Sequence, residues 1–243
     1  MTALFVTATG TDVGKTYVTS LLARALRARG RRVQALKPIA TGFDAERPEQ
    51  SDAGVLLSSL GVPIDAAAID RVSPWRFAAP LSPDIAAARE GRAIDWTALI
   101  ARCRAEIAAA AADDAVLLIE GIGGAMVPLD ETHTVLDWIV ELRIPALLVA
   151  GSYLGTLSHT LAAAGMLVAR GATLAGIVVD ESPQQPITPD ETAAVLRRFV
   201  APFPVIVVPR VATDAAPHAD ESSPAAAKLV ALLDRCDCDD GVR

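Results

Sequence analysis

Short runs of β-branched and aliphatic residues alternate along this chain with longer Ala/Leu-rich stretches whose apolar positions recur at helical spacing. The short runs predict strands over Ala3–Thr7, Arg32–Leu36, Ala115–Ile119, Pro145–Ala150, Ala172–Val179 and Pro204–Val208. The longer stretches predict helices over Lys15–Arg29, Ala53–Leu60, Ser82–Arg89, Trp96–Ala111, Val135–Leu142, Leu157–Arg170, Pro189–Val200 and Pro224–Leu233. Strands rich in Val, Ile and Leu, with little polar alternation, belong in a sheet covered on both faces. Their alternation with helices predicts an α/β fold: a doubly wound, mostly parallel sheet with helices on both faces. In such sheets ligands gather outside the carboxyl ends of the strands.

Length adds that 243 residues fit one ordinary domain, expected over 1–243, with a core that needs no disulfides. Only the stretch from Thr213 to Ala226 and a tail over 235–243 read as loose. A net charge of −7 argues against a nucleic-acid or anionic-membrane surface. Arg24, Arg27, Arg29, Arg31 and Arg32 cluster at the polar face and end of the first helix, where a solvated face with favourable dipole contacts is expected. The three cysteines, Cys103, Cys236 and Cys238, form neither a disulfide framework nor a four-ligand zinc set. No basic segment followed by an apolar stretch opens the chain, and no apolar run approaches a membrane span. A cytoplasmic protein is the expectation.

The candidate chemistry begins at Thr7 to Thr16, Thr-Ala-Thr-Gly-Thr-Asp-Val-Gly-Lys-Thr, between the first strand and the first helix. Strand, tight loop ending Gly-Lys-Thr, then helix is the setting in which backbone N–H groups and the helix dipole converge on a phosphate. Lys15 would reach the terminal phosphates and the Thr16 hydroxyl would ligate Mg²⁺. The first glycine of the general pattern is displaced: Thr9 stands in its place and Gly10 follows. A plain strand–helix turn in which Gly10 and Gly14 supply backbone freedom is the competing reading.

Further polar residues fall at the same edge. Lys37-Pro38 ends the second strand and precedes Thr41-Gly42. Lys37 faces either a γ-phosphate, where it could stabilise charge in transfer, or solvent. Glu120 ends an apolar strand and opens Gly121-Ile122-Gly123-Gly124, which suits a metal-orienting acid or, alternatively, an acid in a glycine turn. Asp52 reads first as a helix cap and becomes a metal candidate only beside Thr16 and Glu120. His133 and His159 lack any partner pattern for metal or nucleophilic work, so structural hydrogen bonding is expected of them.

Taken in order, these segments resemble the dethiobiotin synthetase family, within the broader P-loop NTPase-like group. The resemblance runs through Asp12-Val13-Gly14-Lys15-Thr16, Lys37 to Gly42, Ser51-Asp52 and Phe77-Ala78-Ala79-Pro80-Leu81-Ser82-Pro83. It continues through Glu120 to Gly124, Val127 to Leu129, Leu154 to His159 and Leu174-Ala175-Gly176. It implies a homodimer that uses ATP and Mg²⁺ to carboxylate 7,8-diaminononanoate with CO₂ and close a ureido ring, through a carbamate and its phosphorylated form. Lys15 and Lys37 would then be catalytic, and Thr16, Asp52 and Glu120 would hold Mg²⁺. Nucleotide contacts would come from Asp12 to Tyr17, Asp52, Glu120, Gly121, Ile122, Gly123, Asp180, Pro209, Arg210 and Val211. Substrate contacts would come from Thr11, Thr41, Pro80 and Ser158.

The sequence departs from that pattern in places. Ala8 stands where the family often has glycine, and Asp180 where many members have an Asn that reads adenine. An ionised Asp only accepts hydrogen bonds, so the amide's donor is lost. Ser158 replaces an Asn, and Tyr153 a Lys, near the substrate tail. A partitioning or scaffold ATPase of the same fold group is the alternative, but its second loop lysine would fall at Gly10, and no basic amphipathic C-terminal helix is evident. The synthetase half of a cobyrinate-type amidase would call for a following glutaminase domain, which 243 residues leave no room for.

Overall fold

A computed structural model describes residues 3–210 and 221–239. The elements are β1 (Ala3–Ala8), α1 (Lys15–Ala28), β2 (Arg32–Leu36), β3 (Ile39–Thr41), a 3-10 turn (Pro48–Gln50), α2 (Asp52–Leu60), α3 (Ala66–Val72), β4 (Trp75–Phe77), α4 (Pro83–Arg89), α5 (Trp96–Ala112), β5 (Ala115–Glu120), α6 (Val135–Leu142), β6 (Ala146–Gly151), α7 (Thr156–Ala169), β7 (Leu174–Asp180), α8 (Pro189–Phe199), β8 (Val205–Val208) and α9 (Pro224–Asp239).

Six strands form one parallel sheet in the order β2-β5-β1-β6-β7-β8. Every residue of β1 is buried, and its side chains alternate between two cores. Ala3 and Phe5 join the cluster containing Trp138 and Leu148, while Leu4, Val6 and Ala8 join the one containing Leu22 and Leu229. An unbroken apolar run is therefore what a strand with two dry faces requires. The central β1 lies between β5 and β6, so the chain reverses its direction of travel across the sheet beside it. A crevice opens there at the carboxyl ends.

Two features escaped the hydrophobic pattern. β3 and β4 pair in parallel as a separate sheet, from Ile39 opposite Trp75 to Thr41 opposite Phe77, and each is only three residues long. Runs that short carry no readable period. The short α3 is capped by Asp65, whose Oδ1 accepts from the Ala68 N–H at 2.8 Å.

At the other end α9 continues past Leu233 to Asp239, so residues 235–239 are helical where a loose tail was expected. Most of the stretch from Thr213 lies outside the described residues, and from Pro224 it is helix. The arginines near α1 are tied into the fold more than a solvated face implies: Arg27 donates to the Ser59 carbonyl at 2.8 Å and Arg32 to that of Asp113 at 3.2 Å.

Candidate functional site

The loop after β1 turns directly into α1. Gly14 makes that entry at φ +93°, a conformation that costs glycine little. A side chain there would also meet Asp180, whose Oδ2 lies 2.1 Å from where a Cβ would stand. On the other side, a Cβ at Gly124 would lie 3.0 Å from the Thr9 carbonyl oxygen, so that glycine lets the β5 turn press against the loop. Hydrogen bonds from Gly121 N to Val6 O (2.9 Å) and from Ala125 N to Ala8 O (2.9 Å) lock the two segments in register. Gly10 supplies a carbonyl that accepts from Lys15 Nζ at 3.0 Å.

Parallel pairing sets Glu120 beside Val6 at the end of β5. Lys37 follows β2 on the far side of β5, its backbone N–H held by the Val72 carbonyl at 3.0 Å. Lys37 Nζ donates to Glu120 Oε1 (2.8 Å), to the Gly121 carbonyl (2.8 Å) and to Asp52 Oδ2 (2.9 Å). The Lys37 side chain is 2% exposed and Glu120 0%, so neither is a solvated strand-end or turn residue. Thr16 Oγ1 lies 2.9 Å from Asp52 Oδ1 and 2.8 Å from Glu120 Oε1, with one hydroxyl proton to share between them.

Asp52 is not the helix cap. Ser51 takes that role, its Oγ accepting from the Gly54 N–H at 3.1 Å, which leaves Asp52 as the first residue of α2 with its carboxylate free to face Thr16.

The electrostatics follow from burial. Lys15 is pushed down to about 8, first by desolvation and then by the nearby Lys37 ammonium, against the pull of Glu120, Asp52 and Asp12. Burial alone would push Lys37 down as well, but Glu120 and Asp52 outweigh it and hold the ammonium charged. Desolvation likewise works against ionised Asp52, and Lys37, Thr16 and Lys15 overcome it, leaving the carboxyl below its usual range.

These side chains open onto a cavity of about 510 Å³, whose walls include Thr11, Asp12, Gly14, Lys15, Thr16, Tyr17, Lys37, Thr41, Asp52, Ile122 and Gly123. Val13, Glu120 and Gly121 are buried behind it. Among the described residues, the remaining expected ones are not part of that wall. Pro80 backs it at Gly42, where a Cβ would come within 3.1 Å of the proline ring. Asp180 lies behind Gly14, and burial pushes its carboxyl up to about 7, with Arg210 lowering and Glu181 raising it. The Tyr17 hydroxyl donates to the Pro209 carbonyl at 3.4 Å, and the Arg210 N–H to Glu181 Oε2 at 3.0 Å. Ser158 stands exposed on α7, and Val211 lies outside the described residues.

Sequence reasoning missed Phe43 and Gln50, which also line the cavity. Gln50 sits in the 3-10 turn before Ser51, and Phe43 follows the short β3; neither has a periodicity to betray it. The two histidines do have structural roles. His133 Nδ1 bonds Asp130 at 2.8 Å and its ring stacks on Trp96 at 4.0 Å, while His159 Nδ1 bonds the Tyr153 hydroxyl at 2.8 Å. Cys103 is buried and its thiol is pushed up to about 12, which leaves it inert.

The donor set suits Mg²⁺. A hydroxyl and two carboxylates converge, and the buried Glu120 Oε2 has no hydrogen-bond partner. Among the described residues no group of three or more His, Cys, Asp or Glu could hold a metal by itself. Magnesium asks for no such cage, because it binds through one or two carboxylates with waters and phosphate oxygens. Nor is any helix among the described residues long and apolar enough to cross a membrane.

The chain as a whole is similar to known proteins. A family model described as an AAA domain matches residues 2–213. An ATP-dependent dethiobiotin synthetase BioD of Acidiphilium cryptum is 46% identical over 205 residues, covering 84% of this chain and 91% of the relative. Its counterpart of the same name in Methylobacterium nodulans is 48% identical over 201 residues, covering 82% and 89%. Among solved structures, the cell division ATPase MinD of Pyrococcus furiosus superposes with a TM-score of 0.53 at 18% identity, over 97% of this chain and all of that one, a likeness of fold alone. With this identity sustained over most of both chains, the protein belongs to the ATP-dependent dethiobiotin synthetase family.

Proposed function

We propose that the chain carboxylates 7,8-diaminononanoate and closes its ureido ring, with ATP consumed to ADP and phosphate. One substrate amine takes up CO₂ as a carbamate and releases a proton. A carbamate oxygen then attacks the γ-phosphorus of ATP, and ADP leaves. The second amine attacks the carbamoyl carbon, expels phosphate, which can carry away the amine's proton, and completes the ring.

The observation that carries this reading is the buried Lys37 ammonium, 2.8 Å from Glu120 on the wall of the cavity that Lys15 and Thr16 also line. Phosphoryl transfer needs positioning and charge neutralisation more than covalent help. Lys15, at the mouth of α1, is placed to meet the terminal phosphates. Lys37 would meet the carbamate and the transferring group, and Thr11 and Thr41 line the same cavity. Thr16, Asp52 and Glu120 would hold Mg²⁺, which supplies neutralisation of phosphate oxygens. No protein nucleophile is required.

The nucleotide's base would lie toward Tyr17, Asp180 and the segment from Pro209, outside the phosphate end of the cavity. The substrate tail would run toward Pro80 on one side and Ser158 on the other. The 84% exposure of Leu154, close to Ser158, supports a homodimer in which this region meets a second subunit. The reading places the protein in the cytoplasm, with no nucleic-acid or membrane partner.

The test is direct. Purified protein with Mg²⁺, bicarbonate and the diamine should form dethiobiotin and release nucleoside diphosphate from ATP. Absence of diamine-dependent release with ATP, CTP and GTP alike would overturn the assignment.

A further inference from the structure

We infer that Lys37, in the nucleotide-free protein, stands in for the cation of the Thr16–Asp52–Glu120 cluster, so that a divalent cation enters with a nucleotide's phosphates and frees Lys37 toward the cavity. The inference rests on the reading of that cluster as a metal site.

The hydrogen bonds show how fully the lysine occupies it. Its ammonium takes Asp52 Oδ2 and Glu120 Oε1, while Thr16 takes Asp52 Oδ1 and reaches the same Glu120 oxygen. Three of the four carboxylate oxygens are engaged, and Glu120 Oε2, the fourth, is buried without a partner. A cation seeking these oxygens meets a resident positive charge.

Charge balance points the same way. Lys15 and Lys37 offset the two carboxylates of the cluster, Asp52 and Glu120, and only Asp12 on the cavity wall adds a further negative charge, so a free divalent ion finds little net attraction at the cluster. The phosphates of a nucleotide would make the cluster negative and admit the metal.

The choice of lysine fits a movable charge. Of 22 basic residues only three are lysines, Lys15, Lys37 and Lys228, and two of them stand here. An arginine fork would bind carboxylates in a fixed bidentate geometry, whereas an ammonium on a four-carbon stem can swing. The Lys37 backbone is anchored to Val72, and its side chain already borders the cavity, which gives the freed ammonium a place to go. Release in that direction would carry it to the reacting groups as the metal loads.

Mn²⁺ binding, read from the EPR signal of the free ion, tests this without turnover. Wild type without nucleotide should bind Mn²⁺ weakly, and a non-hydrolysable ATP analogue should tighten it. Lys37→Met should bind Mn²⁺ at least tenfold more tightly than wild type when no nucleotide is present. Equal or weaker binding by a variant that still binds the analogue would overturn the inference.

A second readout needs no variant. In protein labelled with ¹³C at lysine Cε, three signals are expected, and the Lys37 signal should move with Mg²⁺ plus analogue but not with Mg²⁺ alone. A signal that stays in place with both, or that moves fully with Mg²⁺ alone, would equally overturn it. The diamine assay is separate from both measurements, so its failure would sink the reaction and leave the metal result standing.

Discussion

Lys37 and Glu120 lie 83 residues apart and meet at 2.8 Å inside the protein, at the ends of neighbouring strands. Their backbones are held at the ends of β2 and β5, so the pair forms only when both strands are in place. Deleting one partner of a buried pair costs about 3–5 kcal/mol, because the other charge is left uncompensated. Because Lys37 keeps Asp52 and the Gly121 carbonyl as partners, we expect Glu120→Ala to lower unfolding free energy by less than that, about 1–3 kcal/mol. The double variant Lys37→Met with Glu120→Leu should recover most of the loss, since Asp52, the other partner of Lys37, is 45% exposed and can turn to water. A denaturant double-mutant cycle checks this; simple additivity of the single losses would show that the pair is not coupled.

Ser51 borders the cavity and positions the neighbouring Asp52 carboxylate. Its side chain caps α2 and accepts from Gly54, which fixes the turn that presents Asp52 to Thr16 and Lys37. Ser51→Ala should therefore cost about 1 kcal/mol of stability. It should also raise the Mg²⁺ concentration needed for half-maximal turnover, with Ser51→Asn restoring both. Urea melts and a magnesium titration read the two effects, and an unchanged urea midpoint would remove Ser51 from the cap.

The difference between Ser51 and Asp52 shows what the sequence could and could not settle. Dry strands such as Ala115–Glu120 carry their own signature, and order along the chain placed their polar ends at one edge. Which of two adjacent polar residues caps a helix depends on backbone angles that residue type alone leaves open. The small sheet of β3 and β4 was unreadable for another reason: each strand is three residues long and is stabilised by the other, 36 positions away between Ile39 and Trp75. The burial of Lys37 was equally invisible, since it requires Val72 from one distant segment and Glu120-Gly121 from another.

Lys15 should impose an upper pH limit on nucleotide use. Desolvation and Lys37 bring its ammonium down to about 8, and the phosphate contact proposed for it needs it charged. In the free enzyme, kcat/KM for ATP should therefore be level below pH 8 and fall above it. Stability moves the other way. The unfolded lysine keeps its proton up to its ordinary 10.5 and the folded one only to about 8, so the unfolded state binds more protons in that window. Stability should rise with pH from about 8 to about 10.5, and Lys15→Met should abolish that rise. A pH profile of kcat/KM with urea melts across the same range tests both; a flat profile would mean the ammonium stays charged throughout.

Asp180 gives the opposite sign in a lower window. Desolvation raises its carboxyl to about 7 from an ordinary 3.8, and Glu181 adds to that while Arg210 subtracts. The folded state then binds more protons between those values, so this group's contribution to stability falls as pH rises from about 3.8 to about 7 and is flat above. Asp180→Asn has no charge to bury. Its melting temperature should match wild type near pH 4 and exceed it at pH 8, where the gain is about 2 kcal/mol once partial solvent contact is allowed for. The same change bears on the base. A neutral carboxyl both donates and accepts, as an amide does, whereas an ionised one only accepts. If Asp180 faces the base, Asp180→Asn should raise kcat/KM for ATP relative to GTP at pH 8 and alter that ratio little at pH 6. Parallel melting curves and an unchanged ratio at both pH values would place Asp180 outside the base site and leave it a strand-end residue packed on Gly14.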